Sequence, residues 1–378
     1  MESHSLYGAL AIRIVQLLDL PRKLSSDCIK RETEIRSRIE SPFYCLLLIP
    51  RTVWWTTWAM DNWLEAASNV PCQLVAELDF SRPMEEVAFE RLIPGSQYSE
   101  DFTLLENQEL LRNRGMWAQM IPLTHLIVEI DQLHKMTVRN SKPQLEIYNT
   151  VQKIASSLDS WTLRLPEQLR YTSENLKQYS KLGHGRTLIA LHLGFHHHSQ
   201  LLYYQFLHYS HETSTTPPSA LAHTYATRCK EHAAGVTNLL WDANSTPGLE
   251  CLWVVNGHLL AISSSIHLHT LLFSNKDAEI DGAKNMLRQN FQMMMNMRRY
   301  WPSLDLSMSR LRTFHRECQN NMNTSFAMDR WMLNFLQRYT MPVTDKEIAL
   351  PRFKEGGVSP DIQEWQADIC DTSINRGL

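Results

Sequence analysis

Histidines are the first residues in this chain whose type and spacing suggest chemistry. His192 and His196 lie four residues apart, so a helix would place both imidazoles on one face, where they could bind a divalent metal ion. A catalytic zinc site of this kind carries a glutamate base between the ligands, as in His-Glu-x-x-His, but the residues between these two histidines are Leu193, Gly194 and Phe195, so the base is missing. The same stretch holds four more histidines: His197, His198, His208 and His211. Two interpretations therefore stand, a metal site and, favoured here, histidines that pack and hydrogen-bond within the helix.

Carboxylates form the second set of candidates. Glu85 and Glu86 are adjacent, and Glu129 and Asp131 are two residues apart, so on a helix neither pair converges as a general acid and base would. We therefore predict solvated charges at these four positions. The chain also lacks the Gly-x-Ser-x-Gly turn of hydrolases and the glycine-rich loops that bind nucleotide phosphates. The sequence predicts a protein that is not an enzyme, with no catalytic, cofactor-binding or metal-binding residue.

Tryptophans cluster in a third candidate region, at Trp54, Trp55, Trp58 and Trp63. The four-residue spacing places Trp54 and Trp58 on one face of a helix, with Trp55 offset from it. This arrangement is typical of a helix buried in a core, and we predict that role. An aromatic wall lining a ligand pocket is the alternative.

Helical periodicity predicts the elements that position these residues. The clearest stripe recurs at steps of three and four and comprises Met116, Met120, Leu123, Ile127, Ile130 and Leu133. By the same criterion we predict helices over residues 7–20, 53–67, 116–136, 145–158, 182–207, 220–240, 249–272, 281–300 and 325–338. Pro217-Pro218 and Pro247-Gly248 lie between predicted helices, where proline ends a helix. Residues 70–99 are predicted to form an irregular connector.

No stretch of useful length alternates between apolar and polar residues as a half-buried strand does. Glycine accounts for only 13 of 378 residues, which also disfavours architectures built from sheets and tight turns. We therefore predict an all-α protein, a large irregular array of about ten helices in a single domain, with a loosely held C-terminal tail at residues 341–378.

Charge and cysteine content narrow the function classes further. With 37 Lys and Arg against 40 Asp and Glu, the net charge of −3 offers no general attraction to nucleic acid or anionic membranes. The seven cysteines are scattered and odd in number, which is typical of reduced thiols. No secretory leader is recognisable, and no apolar run is long enough to span a bilayer. The sequence predicts a soluble intracellular protein.

Several segments in the first third of the chain resemble one protein family. Arg51-Thr-Val-Trp-Trp-Thr-Thr-Trp-Ala-Met-Asp61 resembles the Arg-x-x-Trp-Trp helix of the fungal-specific transcription factor family, in the middle homology region of zinc binuclear cluster regulators. Residues 7–21 are similar to the helix that precedes it, and Ser68-Asn-Val-Pro-Cys72 occupies the place of a Gly-Arg-Pro turn. Pro83-Met-Glu-Glu-Val-Ala-Phe89 resembles the family's Pro-Met-Asp-Glu segment.

The resemblance continues to about residue 340. Leu158-Asp-Ser-Trp-Thr-Leu-Arg-Leu-Pro166 is similar to a Leu-x-x-Trp-x-x-x-Leu-Pro element, and residues 191–207 to a long helix that begins Leu-His-Leu. Residues 228–234 lie where the family has Cys-x-x-Ala-Ala. Tyr300-Trp-Pro-Ser303 and Arg310-Leu-Arg-Thr-Phe314 resemble its C-terminal stretch. No single segment is specific, but their order and spacing together are. On this resemblance, His192 and His196 fall within a packed helix.

The resemblance implies that residues 1–340 form a regulatory region of a nuclear transcription regulator, controlling a metabolic or secondary-metabolite gene cluster. It also implies contacts with other regulators or coactivators, as a homodimer or heterodimer, and a small-molecule effector.

The tryptophan helix carries opposite charges at its two ends, Arg51 and Asp61. Their order is unfavourable for the helix dipole, so we predict that they pair with other segments of the chain and do not cap the helix.

The chain departs from the family pattern in three ways. It contains no six-cysteine zinc cluster followed by a basic region, and it begins at the middle-region helix. The apolar residues 40–50 interrupt the approach to the tryptophan helix and are predicted to be an insertion or a misread intron. Contact with DNA is therefore expected to be indirect or to use an N-terminal cluster missing from this sequence. The alternatives are a truncated gene model of a complete DNA-binding regulator, and a helical protein that binds a metal or small molecule through His192 and His196.

Overall fold

The structure is a computed structural model that describes residues 2–20, 44–68, 72–75, 82–83, 85–91, 115–140, 143–211, 217–320, 325–344 and 346. All regular secondary structure in these residues is helical, and none of them lies in a strand. The predicted all-α class is therefore confirmed. No helix among the described residues is both long enough and apolar enough to cross a lipid bilayer.

The α-helices are numbered in chain order. Their bounds are α1 Glu2–Leu17, α2 Tyr44–Ser68, α3 Glu86–Arg91, α4 Met116–Val138, α5 Gln144–Arg164, α6 Ser173–Lys181, α7 Gly185–Tyr204, α8 Pro217–Ser245, α9 Asn256–Phe273, α10 Asp277–Arg298, α11 Leu304–Asn320 and α12 Arg330–Gln337. Short 3-10 turns at Glu167–Leu169 and Gln205–His211 precede α6 and follow α7. Pro217 begins α8, a position where its missing N–H costs nothing.

Three helices were not predicted, and several helix starts differ from the predicted pattern, among them that of α9, which begins at Asn256 and not at residue 249. Helix α2 begins at Tyr44 and runs through Pro50, so residues 44–50 continue into the tryptophan helix. The rest of the predicted insertion, and the tail beyond residue 346, lie outside the described residues. Helices α3, α6 and α11 were not predicted: α3 has six residues, and α6 is largely polar and begins where the Thr172 hydroxyl caps the Asn175 N–H.

The sequence does contain a signal for α11. Its buried apolar residues are Leu304, Met308, Leu311, Phe314 and Cys318, a regular stripe at three- and four-residue steps. The stripe begins two residues after Pro302, and proline is favourable at the start of a helix.

The helices form two compact units, residues 1–133 with 152–195 and residues 134–151 with 196–378. In the first unit, one core cluster joins α1 and α2 with the segment at residues 72–75 and the start of α4. Its members are Ile12, Val15, Leu20, Trp54, Trp55, Trp58, Leu74 and Ile121. The tryptophans of α2 therefore fill the core against the buried face of α1.

The second unit is organised around α9, whose residues are buried on every side from Asn256 to Leu271. Helices α8, α10 and α11 pack around it. A helix without an exposed face cannot show amphipathic periodicity, because every position must fit a neighbour. Helices α9 and α11 approach each other closely at Gly257. An added Cβ there would overlap the Leu304 side chain of α11 and lie 3.1 Å from Ser307 Oγ.

Two glycine-to-alanine substitutions are expected to change stability in opposite directions. Gly257→Ala will lower the free energy of unfolding by about 1–2 kcal/mol, because overlap with Leu304 outweighs the gain in helix propensity. Gly282→Ala in α10 will raise it by about 0.5–1 kcal/mol, because nothing lies within 4 Å of its added Cβ. Urea unfolding followed by circular dichroism measures both changes. A stabilising Gly257→Ala would contradict the close packing of α9 on α11.

Candidate functional site

Three of the four tryptophans of α2 lie in the core of the first unit, as predicted, whereas Trp63 is partly exposed. Trp54, Trp55 and Trp58 are all buried, and the Trp55 and Trp58 rings meet edge to face at 5.3 Å. The Trp58 ring also packs on His125 of α4, with 4.6 Å between ring centroids. These rings contribute core packing energy. The packing role is favoured over a ligand-lining wall.

Asp61, at the far end of the tryptophan motif, holds an extended segment against α2. Its buried Oδ2 accepts hydrogen bonds from the backbone N–H groups of Gln73 and Leu74, both at 2.7 Å, and from the Cys72 thiol at 3.2 Å. Burial, with the neighbouring Asp61 carboxylate, raises the pKa of Cys72 to about 12. Asp61 therefore bonds to another segment of the chain, as predicted, although its partners are backbone amides and a thiol. The Arg51 side chain lies outside the described residues.

Asp61→Ala is expected to lower the free energy of unfolding by about 2–3 kcal/mol, because two buried N–H groups lose a charged acceptor. Asp61→Asn keeps an acceptor oxygen and should cost about half as much. Denaturant unfolding measures the loss of free energy of unfolding. Alkylation of Cys72, measured by peptide mapping, should become faster because residues 72–75 are released from α2. Glu129→Ala, which removes only an exposed ion pair with Lys153, serves as the control within about 0.5 kcal/mol.

The prediction of solvated carboxylates is wrong for Glu86. This side chain is buried, and its two oxygens accept hydrogen bonds from the first N–H groups of α4, Met116 at 3.0 Å and Trp117 at 2.8 Å. Burial raises the pKa of the Glu86 carboxyl, while the two amide hydrogen bonds act in the opposite direction. A carboxylate at a helix N-terminus satisfies amides that lack helical partners. Gly115 provides the room, since an added Cβ there would lie 2.8 Å from the Glu85 Cα.

The other predicted pair also differs from expectation at one position. Asp131 is buried, so a solvated charge was the wrong prediction there. Glu129 is partly exposed and pairs with Lys153 at 3.5 Å, as a surface charge does.

His192 and His196 have different partners and belong to different units. In the first unit, His192 Nε2 donates to the Leu169 carbonyl at 2.8 Å, beneath the ring of Tyr171, and burial lowers the pKa of His192. In the second unit, His196 Nδ1 lies 3.0 Å from Nδ1 of His232 on α8, and Gly235 leaves room for the His196 ring. Within the described part of the chain, no three His, Cys, Asp or Glu side chains are grouped so that they could hold a metal ion. These contacts support the packing interpretation.

A buried polar seam joins the end of α7 to α9 within the second unit. The His197 and His258 rings are 5.7 Å apart, and Tyr204 Oη lies 2.9 Å from Ser265 Oγ. One turn further, His269 Nε2 donates to the Leu207 carbonyl at 3.0 Å. Each pair is separated by 61 or 62 residues in sequence, so the two segments run parallel. No local sequence pattern indicates this seam, because it depends on which helices are neighbours.

Arg310 of α11 is the most strongly bonded buried cation in the described residues of the second unit. Its guanidinium donates to the carbonyls of Asn334 at 3.0 Å, Phe335 at 2.6 Å and Arg338 at 2.8 Å, and also to that of Met341. It therefore supplies a charged donor to the carbonyls at the end of α12 and in the turn after it, two of which also accept from backbone N–H groups. Burial lowers the pKa of Arg310 to about 10, so the side chain stays charged at neutral pH.

Nearby, the His258 ring stacks on Tyr339 with 4.7 Å between centroids. Together with Arg310, this contact fixes the residues that follow α12. The candidate residues of the chain thus hold its segments together.

Comparison with known proteins gives two distant relatives. The chain is 20% identical over 289 residues to the uncharacterized transcriptional regulatory protein C530.11c of Schizosaccharomyces pombe, covering 70% of this chain and 35% of that protein. It is 25% identical over 205 residues to the uncharacterized transcriptional regulatory protein C1327.01c of the same organism, covering 51% of this chain and 20% of that protein. No protein-family profile and no solved structure matches.

The chain therefore spans about a third and a fifth of the length of these two relatives. The similarity supports the relationship to fungal transcription regulators that the sequence motifs predict. The finer assignment, to the middle homology region, rests on the motifs alone.

Proposed function

We propose that this chain is a transcription regulator related to the fungal zinc-cluster factors, and that residues 1–340 are its regulatory middle homology region. The observation that carries the proposal is the ordered series of family motifs in a chain similar to two fungal transcriptional regulatory proteins. The structure adds a physical reason for three of the motifs. Asp61, Glu86 and Arg310, one from each, make buried hydrogen bonds that join separate segments.

This chain makes protein contacts in the proposal, and contact with DNA is indirect or uses an N-terminal zinc cluster outside this sequence. Its seven cysteines are too widely spaced to hold a pair of zinc ions in a compact cluster, and its net charge of −3 gives no general attraction to DNA. It joins other regulators or coactivators in the nucleus, as a homodimer or heterodimer. Control of a metabolic or secondary-metabolite gene cluster, and response to a small-molecule effector, complete the proposal.

A regulatory role is also proposed in preference to catalysis. The side chains most able to perform acid–base or metal chemistry are bonded to backbone groups or to one another: Glu86, His192, His196 and Arg310. These contacts stabilise packing between segments, and a substrate would have to displace them.

A tethering assay tests the proposal. The full chain is fused to a heterologous DNA-binding domain in a fungal host, and a reporter carrying that domain's sites should change expression several-fold relative to the domain alone. Arg310→Leu, which should release α12, is expected to weaken the effect, while Arg316→Leu at an exposed position of the same helix should not. A fusion that is nuclear and folded yet leaves activating and repressible reporters unchanged would contradict a regulatory function.

A second measurement tests how the chain reaches DNA. The purified full chain should show no sequence preference in gel-shift experiments with the promoters it regulates in cells. Tight and specific binding by the chain alone would contradict indirect action while leaving the regulatory role in place.

A further inference from the structure

Lys346 occupies a more enclosed position than other lysines that form ion pairs in the described part of the chain. Its ammonium nitrogen lies 2.9 Å from Asp329 Oδ2, and its side chain is only 16% exposed. The side chains of Lys153 and Lys276, which also pair with carboxylates, are 73% and 79% exposed. A lysine that gives up most of its contact with water needs specific partners, because an ammonium group is strongly hydrated. The groups around Lys346 therefore form a site that accepts a lysine side chain.

Trp331, at the start of α12, contributes two kinds of contact to this site. Lys346 Nζ lies 5.1 Å from the centre of the Trp331 ring, within the range of a cation–π interaction. The indole N–H donates to the Thr344 carbonyl at 2.6 Å, so the same side chain also holds the backbone two residues before the lysine. The Trp331 ring lies nearly parallel to the buried ring of Phe335, with 6.1 Å between centroids. Packing on α12 therefore holds the indole in position.

Asp329 uses its two carboxylate oxygens for different contacts. Oδ1 accepts a hydrogen bond from the Met332 N–H at 2.8 Å and caps α12, while Oδ2 faces Lys346. Because the cap fixes the carboxylate, the oxygen that faces the lysine is already oriented. Asp329 and Trp331 together are called the α12 notch below. The notch offers a carboxylate, an aromatic face and an N–H donor, all held by one helix.

The segment that fills the α12 notch is anchored differently at its two ends. It comprises residues 341–344 and 346, which form no helix, and is called the strap below. At its start, the buried guanidinium of Arg310 donates to the Met341 carbonyl. At its other end the strap is held by the notch, through the exposed residue Thr344 and through Lys346. A segment with a buried anchor at one end opens most easily at the end nearer the surface.

We propose that the α12 notch is a recognition site for a lysine-bearing extended segment of a partner protein, and that the strap closes it as an intramolecular competitor. The strap shows the chemistry that the notch accepts: a lysine ammonium, with a backbone carbonyl two residues before it. An acidic segment would be repelled by Asp329. Because the strap is tethered beside the notch, its high effective concentration keeps a weak partner out until the strap opens.

The proposal goes beyond the transcriptional role, which names no site for a partner. It is measured on the purified chain, so its failure would leave the reporter assay and the regulatory role untouched.

Fluorine NMR of the full chain labelled with 5-fluorotryptophan tests the proposal, with the Trp331 resonance identified by its loss in Trp331→Phe. Lys346→Ala should move this resonance, because the cation leaves the ring. A synthetic peptide with the sequence of residues 339–348, added at millimolar concentration, should then return the resonance toward its wild-type position. The same peptide carrying Lys346→Ala should have no effect, and the wild-type chain should respond less than the Lys346→Ala chain to the unaltered peptide.

Two further variants act as controls, and circular dichroism checks that each is folded. Lys276→Ala removes a lysine from an exposed ion pair and should leave the Trp331 resonance unchanged. Asp329→Asn keeps an acceptor for the cap of α12 but loses the charge, so in the Lys346→Ala chain it should weaken peptide binding about fivefold. A Trp331 resonance that Lys346→Ala leaves in place, no response to the peptide, or equal binding after Asp329→Asn would each overturn the proposal.

Discussion

Arg310→Leu is expected to lower the free energy of unfolding by at least about 3 kcal/mol. Four backbone carbonyls at the end of α12 and in the turn after it would lose a charged donor at once, and only those of Asn334 and Arg338 also accept from a backbone N–H group given for this turn. The guanidinium also lies 5.7 Å from the centre of the Phe335 ring, and this contact would be lost as well. Denaturant unfolding measures the global loss, and hydrogen exchange of the peptide over residues 330–341 measures the release of α12.

Two matched variants separate the hydrogen bonds from the loss of a charge. Arg316→Leu removes an exposed arginine from the same helix and should change stability by no more than about 0.5 kcal/mol. Arg310→Lys keeps the charge, but one ammonium group cannot span four carbonyls, so an intermediate loss is expected. If Arg310→Leu proved as stable as the wild type, the cap assigned to Arg310 would be wrong.

Acidification is expected to unfold the second unit steeply below pH 6.5. Burial lowers the pKa of His197 and of His267 to about 3. It also holds the pKa of His198 and His258 well below the usual value, with the nearby Arg310 charge acting in the same direction on His258. In the unfolded chain these imidazoles take up protons near pH 6.5, whereas in the folded chain they remain neutral. The unfolded state therefore binds more protons, and stability falls as the pH falls.

The size of this effect follows from the number of histidines. Between its pKa in the folded chain and its pKa in the unfolded chain, each histidine that stays neutral lowers the free energy of unfolding by about 1.4 kcal/mol for every pH unit of acidification. Four such histidines together lower it by roughly 5 kcal/mol per pH unit. A domain of ordinary stability would then unfold at about pH 5. Burial of Glu86 acts in the opposite direction, because its raised pKa favours the protonated form in the folded chain, but it is one group against four.

Paired histidine variants test the assignment. His267→Gln can keep the hydrogen bond to Thr237, and it removes one of the four titrating groups. The slope of the free energy of unfolding against pH should therefore fall by the contribution of one histidine. His223→Gln alters an exposed residue of α8 and should leave the slope unchanged. Urea unfolding at a series of pH values between 5 and 8 provides the slopes. A pH-independent free energy of unfolding would show that these imidazoles are protonated in the folded state, contrary to their burial.

Much of the helical framework was predictable because its signals are local. Helix α4 shows the apolar stripe from Met116 to Leu133, and the structure places a helix at Met116–Val138. The burial of Trp54 and Trp58 followed from their spacing and size. Helix α11 carries a comparable stripe, so it could have been predicted from the sequence although it was not. The polar helix α6 shows a weaker pattern, since Tyr179 is its buried residue, and α3 has only six residues over which a pattern could show.

The amino-acid sequence by itself determined the all-α class, most helices and the core role of the tryptophans, because each depends on spacing within one segment. Tertiary structure decided the roles of the polar residues. Glu86 looks like a surface charge until α4 is brought to it, and Arg310 has no visible partner until α12 is in place. Such partners lie between 24 and 31 residues away, a separation over which no local periodicity carries information. Only packing, which brings distant segments together, can determine which buried groups share a hydrogen bond.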